Sequence, residues 1–396
     1  MKIAIFSDNF YPEISGISDS VVMLGKELAS MGHEIHFFGA KYSKKNYVSA
    51  SMPHGEPDWG ANIKFHRFRS LPMLGSPTGQ SRIVIPFALR CFKFRKEHYD
   101  IVYTQSPYGL GIEAYLMSRI LKIPLIGTNH TPITEFTRYL PLHNKLFDVI
   151  GLHFVSWYYN RCQFVTAPFE GILDEMKTYG FRKDSISLSN PIDLKNFYPP
   201  SEQERIDLKN KFGFTGNTVL YAGRLAPEKQ VDVIVKAMVE VRKSIPDAML
   251  AITGIGNAEN SLKKLSKKLG IENAVKFFGR VDDETHAETY RASQLFVVMS
   301  TAETQCISMM KAMSSGVPVI GADAWALPNY IGRDEKLGYV VPVGDVKTLA
   351  EKIILLLNNQ EKSREMGLAG IEYVKQFSAR NVAEKWEEIF SKYLKK

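Results

Sequence analysis

Cysteine is scarce in this chain. Only Cys91, Cys162 and Cys306 occur in 396 residues, an odd number set far apart. No disulfide framework and no metal-ligand spacing can be built from them, so a reducing compartment is expected. Long apolar runs are missing too. The best, residues 149–159, is interrupted by His153 and falls short of the roughly 18 residues a spanning helix needs. The start, MKIAIFSDNFYPE, has one lysine and a short apolar stretch before Ser7 and Asp8, too little for a signal peptide. A cytoplasmic protein is expected, with any membrane contact peripheral and on the inner face. Dense charge runs are also lacking. Fifty Lys and Arg stand against 42 Asp and Glu, a net charge of +8. That mild excess suits an anionic ligand or an anionic membrane surface and gives no footprint for nucleic acid.

What remains is an ordinary globular balance, 45% hydrophobic and 23% charged, which excludes disordered and fibrous classes. The length suggests two or three domains at roughly 150 residues each. Short apolar runs alternate with amphipathic stretches. Strands are expected at 2–6, 34–38, 100–104, 124–128, 163–167, 218–222, 248–253, 275–278, 295–299 and 318–321. Helices are expected at 18–32, 231–243 and 257–269. In the first helix Val21, Val22, Leu24, Leu28 and Met31 share a face. Continuous apolar strands separated by helices imply parallel sheets covered on both sides.

The alternation restarts after SNPIDLKNFYPPSEQER (189–205), a Pro-rich polar segment that reads as a linker. The expected fold class is α/β, with two Rossmann-like doubly wound domains and an interdomain cleft. The domains are placed at 1–190 and 195–375. A last helix over 382–396 carries Trp386, Ile389, Phe390 and Leu394. Its residues name no partner, and we expect 376–396 to return to the amino-terminal domain. Ligands in such sheets bind beyond the carboxyl ends of the strands.

Four loops at those ends carry chemistry. FYPEISGIS opens a helix with Gly16, which suits a phosphate or carboxylate seat and equally suits a plain turn. YAGRLAPEKQVD puts Arg224 just past a strand and Lys229 near the next helix. Two cations there fit a diphosphate and the charge of a leaving group. Ordinary surface pairing of Lys229 with Glu228 or Asp232 is the competing reading. STAETQCISMMKAMSSGVPVI follows a strand with Glu303, an acceptor for sugar hydroxyls or simply a helix-start charge, and the Met309, Met310, Met313 cluster reads as core. GTNHTPITEF places His130 at a strand's end, able to meet a ligand hydroxyl or to serve structure alone.

Together with FFGRV at 277–281, and in this order, these pieces resemble the retaining glycosyltransferases of family 4, which have the GT-B fold. The resemblance covers nearly the whole chain. The ETQ at 303–305 looks like enzymes that glucosylate or mannosylate lipids, such as monoglucosyldiacylglycerol synthases and phosphatidylinositol mannosyltransferases. It implies transfer of a hexose, glucose or mannose favoured, from a nucleotide diphosphate sugar such as UDP-glucose to a lipid or lipid-linked saccharide. A soluble acceptor is the alternative in the same class. No cofactor or metal is implied, only the nucleotide sugar as co-substrate, and the chain has no DxD triplet. By position, Arg224 and Lys229 would hold the diphosphate, with Gly16 bringing backbone N–H groups to it. Gly254, Arg280 and Val281 would belong to the donor site, the last two meeting the base. Glu303 would bind the transferred sugar, with Thr304, Gln305, Cys306 and Ile307 beside it. His130 would sit by the sugar's 6-position and the reacting carbon.

The chain departs from the family pattern at three points. Eight positions after Glu303 relatives carry a second glutamate that accepts from the ribose hydroxyls, and here Lys311 stands instead. An ammonium has three donors and no acceptor, so either other contacts hold the ribose of an ordinary donor, or the donor carries an extra anionic group near the ribose, or the chain is a non-catalytic nucleotide-sugar-binding protein, the rival reading. Cys306 replaces a usual glycine, and Asn329 stands where LPE is common.

One further segment, Phe87–His98, interleaves Phe87, Leu89, Phe92 and Phe94 with Arg90, Lys93, Arg95 and Lys96. A basic amphipathic surface of this kind can lie on anionic lipid and would serve a lipid acceptor. Packing on the first sheet is the competing reading.

Overall fold

In the computed structural model, residues 1–13, 15–50, 52–73, 80–130 and 145–394 are described. The chain divides into two compact units. One comprises Met1–Pro191 together with Ala379–Lys396, and the other comprises Ile192–Ser378.

The first unit is built on a seven-stranded sheet of order β3-β2-β1-β6-β7-β8-β9. Its strands are β1 (Lys2–Phe6), β2 (Glu34–Ala40), β3 (Ile63–Phe68), β6 (Ile101–Thr104), β7 (Leu125–Thr128), β8 (Phe164–Ala167) and β9 (Ser185–Ser187), all paired in parallel. A two-stranded antiparallel ribbon, β4 (Ser70–Pro72) with β5 (Arg82–Val84), lies outside it. The central strands are buried on both faces, which is why they read as unbroken apolar runs. The helix Gly16–Ser30 starts at Ser15, whose hydroxyl accepts from the Ser18 N–H. It buries Val21, Leu24 and Leu28. The helix Ala379–Lys392 joins this core, with Val382, Trp386, Ile389 and Phe390 packed among Ile3, Ile5, Leu28 and Tyr103. The Trp386 and Tyr103 rings are 4.5 Å apart.

The second unit carries a six-stranded parallel sheet of order β12-β11-β10-β13-β14-β15. The strands are β10 (Thr218–Ala222), β11 (Met249–Thr253), β12 (Val275–Gly279), β13 (Leu295–Val298), β14 (Val319–Ala322) and β15 (Gly338–Val341). The Pro-rich segment is packed here over its middle rather than hanging free. Ile192 N–H donates to the Phe377 carbonyl, the Arg291 guanidinium to the Asn196 carbonyl, and the Ser314 hydroxyl to the Phe197 carbonyl.

Every strand expected from the sequence is present. β3, β4, β5, β9 and β15 were not expected. β3 mixes Lys64, His66 and Arg67 with its apolar residues because it is an edge strand, half covered. Both sheets reverse their strand order at one point, between β1 and β6 in the first and between β10 and β13 in the second. A crevice at the carboxyl ends of the strands is expected at each such point.

Candidate active site

In the second unit the reversal brings the loop after β10 beside the loop after β13. The Thr301 N–H donates to the Glu228 carbonyl at 2.9 Å and ties the two loops together. The first loop runs through Arg224 to a single 3₁₀ turn at Pro227–Lys229, and Gln230 takes a left-handed conformation before the helix Val231–Ser244. Lys229 Nζ lies 2.6 Å from Glu303 Oε1 and 3.3 Å from Ser300 Oγ. Both side chains of this pair are mostly buried, 14% and 17% exposed. Burial pushes the Glu303 carboxyl up, but the Lys229 ammonium and the bonds from Lys229 and Ser300 outweigh it, and the pKa falls below the usual range. Burial lowers Lys229 and Glu303 raises it, with a net rise. Both groups are therefore ionised at neutral pH. Arg224 pairs with Glu228 at 3.0 Å, and the Arg224 carbonyl accepts from the Tyr221 hydroxyl at 2.9 Å. Lys229 thus turns to Glu303 on the neighbouring strand's loop rather than to Glu228 or Asp232, and it is Arg224 that meets Glu228.

The stretch from Glu303 leads through Thr304 and Gln305 to the helix Ile307–Ser314. Cys306 has φ 58° and is 4% exposed. This is left-handed backbone, the region glycine enters without cost. Burial first, then the neighbouring Glu303 carboxylate, push its thiol up to about 12, so it is not a nucleophile at neutral pH. Met309, Met310 and Met313 are buried core residues. Lys311, one turn into the helix, lies with Nζ 4.7 Å from the centre of the Phe197 ring. Burial, with the Lys311 charge next, drives His286 down to about 3. Gly254 has φ 125°, and a Cβ there would come within 2.0 Å of the Gly223 carbonyl oxygen. Close passage of the two strand-end loops thus accounts for glycine at this position. Arg280 is exposed and Val281 half-buried, both just past β12.

In the first unit, Gly16 is exposed at the start of its helix. Asp8, just past β1, accepts from the Ser106 hydroxyl at 2.5 Å and the Leu110 N–H at 2.9 Å, joining the loops after β1 and β6. Burial raises its pKa, and those bonds offset it only in part. Glu13 is buried and accepts from Asn9, Ser81 and Tyr42. His130, past β7, bonds through Nε2 to Gln105 Oε1 at 2.5 Å. Asp8, Glu13 and Gln105 were missed from the sequence. The signal that could have found Asp8 and Gln105 is their position just past strand ends. The rest of the His130 loop, residues 131–139, lies outside the described residues.

The basic segment forms a 3₁₀ helix, Ala88–Glu97, rather than a regular amphipathic helix. Its apolar residues do not follow a single helical face, so no one face can be buried. Phe94 packs against Phe38 and His66. Arg90 is taken up by structure, donating to the Ile85 carbonyl at 2.7 Å and lying 3.7 Å from Glu113. Lys93, Arg95 and Lys96 are exposed, beside Phe87, Leu89 and Phe92 at 51%, 60% and 53% exposure. Among the described residues no helix is long and apolar enough to cross a membrane, and no three His, Cys, Asp or Glu side chains are grouped to hold a metal ion.

The fold and these strand-end loops define a GT-B glycosyltransferase. Residues 14–196 match the family model described as Glycosyltransferase Family 4, and residues 202–373 match Glycosyl transferases group 1. The chain belongs to this family. It is 27% identical over 329 residues to the alpha-monoglucosyldiacylglycerol synthase of Streptococcus pneumoniae, covering 81% of this chain and 70% of that one. It is 26% identical over 389 residues to the N-acetyl-alpha-D-glucosaminyl L-malate synthase of Bacillus anthracis, covering 96% and 94%. Among solved structures, the Anabaena protein HepE in complex with UDP and glucose superposes with a TM-score of 0.74 at 18% identity, covering 99% of each chain. That likeness is one of fold.

Proposed function

We propose that this glycosyltransferase moves a hexose, glucose or mannose, from a nucleotide diphosphate sugar to a lipid or lipid-linked saccharide, with retention of anomeric configuration. The observation that carries this reading is the Lys229–Glu303 pair, ionised and mostly buried at the switch point of the second sheet, with Arg224 on the same loop. A lysine and an arginine at that point suit the charge that develops on a departing diphosphate. Glu303, held as a carboxylate, suits sugar hydroxyls.

In the step proposed, the bond between the anomeric carbon and the phosphate oxygen breaks, and the acceptor oxygen bonds to that carbon on the same face. The acceptor's proton passes to the leaving phosphate. Gly16, Gly254, Arg280, Val281 and the 304–307 backbone are assigned to the donor, and no metal is needed in this scheme. The lipid acceptor is supported by the synthase relative and by the exposed apolar and cationic residues of 87–96. Lys93, Arg95 and Lys96 are the cations assigned to an anionic membrane surface.

Lys229→Ala is the test. Sugar transfer from UDP-glucose or GDP-mannose to a lipid extract is expected to vanish. The circular dichroism spectrum should be retained, with stability reduced by about 1–3 kcal/mol as Glu303 loses its partner. Unchanged transfer would refute the diphosphate assignment. A soluble acceptor is the second reading, favoured by the malate synthase relative. Lys311 favours a third, nucleotide-sugar binding without catalysis. Binding of either donor with neither hydrolysis nor transfer by the wild-type chain would select it.

A further inference from the structure

The amino-terminal unit has its own polar couple one strand beyond the reversal of strand order, on the loops after β6 and β7. Gln105 follows β6, and its N–H is fixed to the Phe6 carbonyl at 2.9 Å. His130 follows the adjacent β7. The two residues are 4% and 7% exposed. An amide oxygen only accepts, so the 2.5 Å contact from His130 Nε2 to Gln105 Oε1 places the ring proton on Nε2. The Gln105 Nε2 is buried and has no hydrogen-bond partner among the described residues. Tyr103 is anchored by Thr128 at 2.7 Å, and Thr128 by Thr166 at 2.7 Å. His130 Nδ1 has no hydrogen-bond partner among the described residues. A buried acceptor without a partner is costly and calls for an explanation. Burial lowers His130 to about 4, so the ring is neutral and Nδ1 carries a bare lone pair at neutral pH.

We infer that Gln105 is a positioning residue that locks His130 as the Nε2–H tautomer, so that Nδ1 accepts a hydrogen bond from an uncharged carbohydrate hydroxyl. A neutral imidazole offering only a lone pair favours a hydroxyl over a carboxylate or a phosphate. The tautomer follows from this unit alone, and the hydroxyl rests on the transferase reading above.

The test has two arms. In the wild-type chain with nitrogen-15-labelled histidine, His130 should show the Nε2–H tautomer whatever the activity, and an Nδ1–H spectrum would overturn the inference. Gln105→Met keeps the volume and removes the acceptor. It should give tautomer-averaged nitrogen shifts and lower kcat/KM about tenfold. Gln105→Glu restores an acceptor but adds charge. It should raise the His130 pKa from about 4 towards neutrality. Because protonation at Nδ1 removes the acceptor, kcat/KM of this variant should fall below the new pKa and recover above it. A profile that overlays the wild type would overturn the inference. If Gln105→Met fails to fold, the wild-type spectrum and the Gln105→Glu profile still decide. Absence of transfer by the wild type would sink the transferase reading and the hydroxyl with it, while the spectrum judges the tautomer separately.

Discussion

Cys306 shows how much a single residue's backbone can say. It holds φ 58° directly before the helix Ile307–Ser314, with its side chain buried. A non-glycine residue there carries a cost of about 1 kcal/mol. Cys306→Ala keeps that cost, whereas Cys306→Gly relieves it. We expect the glycine variant to be the more stable of the two by about 1 kcal/mol, the reverse of the order in a helix interior. Thermal melts of the pair decide, and an alanine variant above the glycine variant would contradict the strain. The position was legible in advance, since glycine is usual there in the family the sequence resembles. Lys311 was legible only as a change of charge. The structure adds that it lies over the Phe197 ring and presses on His286. Those partners come from segments far along the chain, which no local pattern could reveal.

At the scale of elements, the sites belong to loops, and the strands decide which loops meet. β10 and β13 are neighbours although β11 and β12 come between them in sequence. That crossing sets Lys229 beside Glu303. The strands themselves were readable because both faces are buried and their sequences are apolar throughout. The edge strand β3 and the short β9 were not, because a half-covered strand tolerates charge and leaves no run to detect. Gly254 tests the close passage of the loops after β10 and β11. Gly254→Ala drives a methyl into the Gly223 carbonyl at a φ of 125°. It should destabilise the second unit by about 2–3 kcal/mol, read as a lower urea midpoint. A midpoint within error of the wild type would remove the steric account.

At the scale of the whole molecule, the first unit is closed by the far end of the chain. Trp386 packs on Tyr103 and Phe390 within the core of that unit. Trp386→Ala should cost about 3–5 kcal/mol. Hydrogen exchange should rise in β1 and β6 of the first unit and stay unchanged in β10 and β11 of the second. Loss of protection in the second unit instead would contradict the division into units.

The sequence alone determined the alternating α/β pattern, the restart of that pattern midway, the family resemblance, and the loops that carry Arg224, Lys229, Glu303 and His130. Each is written in short-range order: apolar runs, helix periodicity, and residue types just past strand ends. The tertiary structure decided what those residues touch. It paired Lys229 with Glu303, gave His130 to Gln105, drew Arg90 into packing, and set the last helix on the first sheet. Its apolar face could be read from the sequence, but apolar burial is non-directional, and only the folded chain names the surface that covers it.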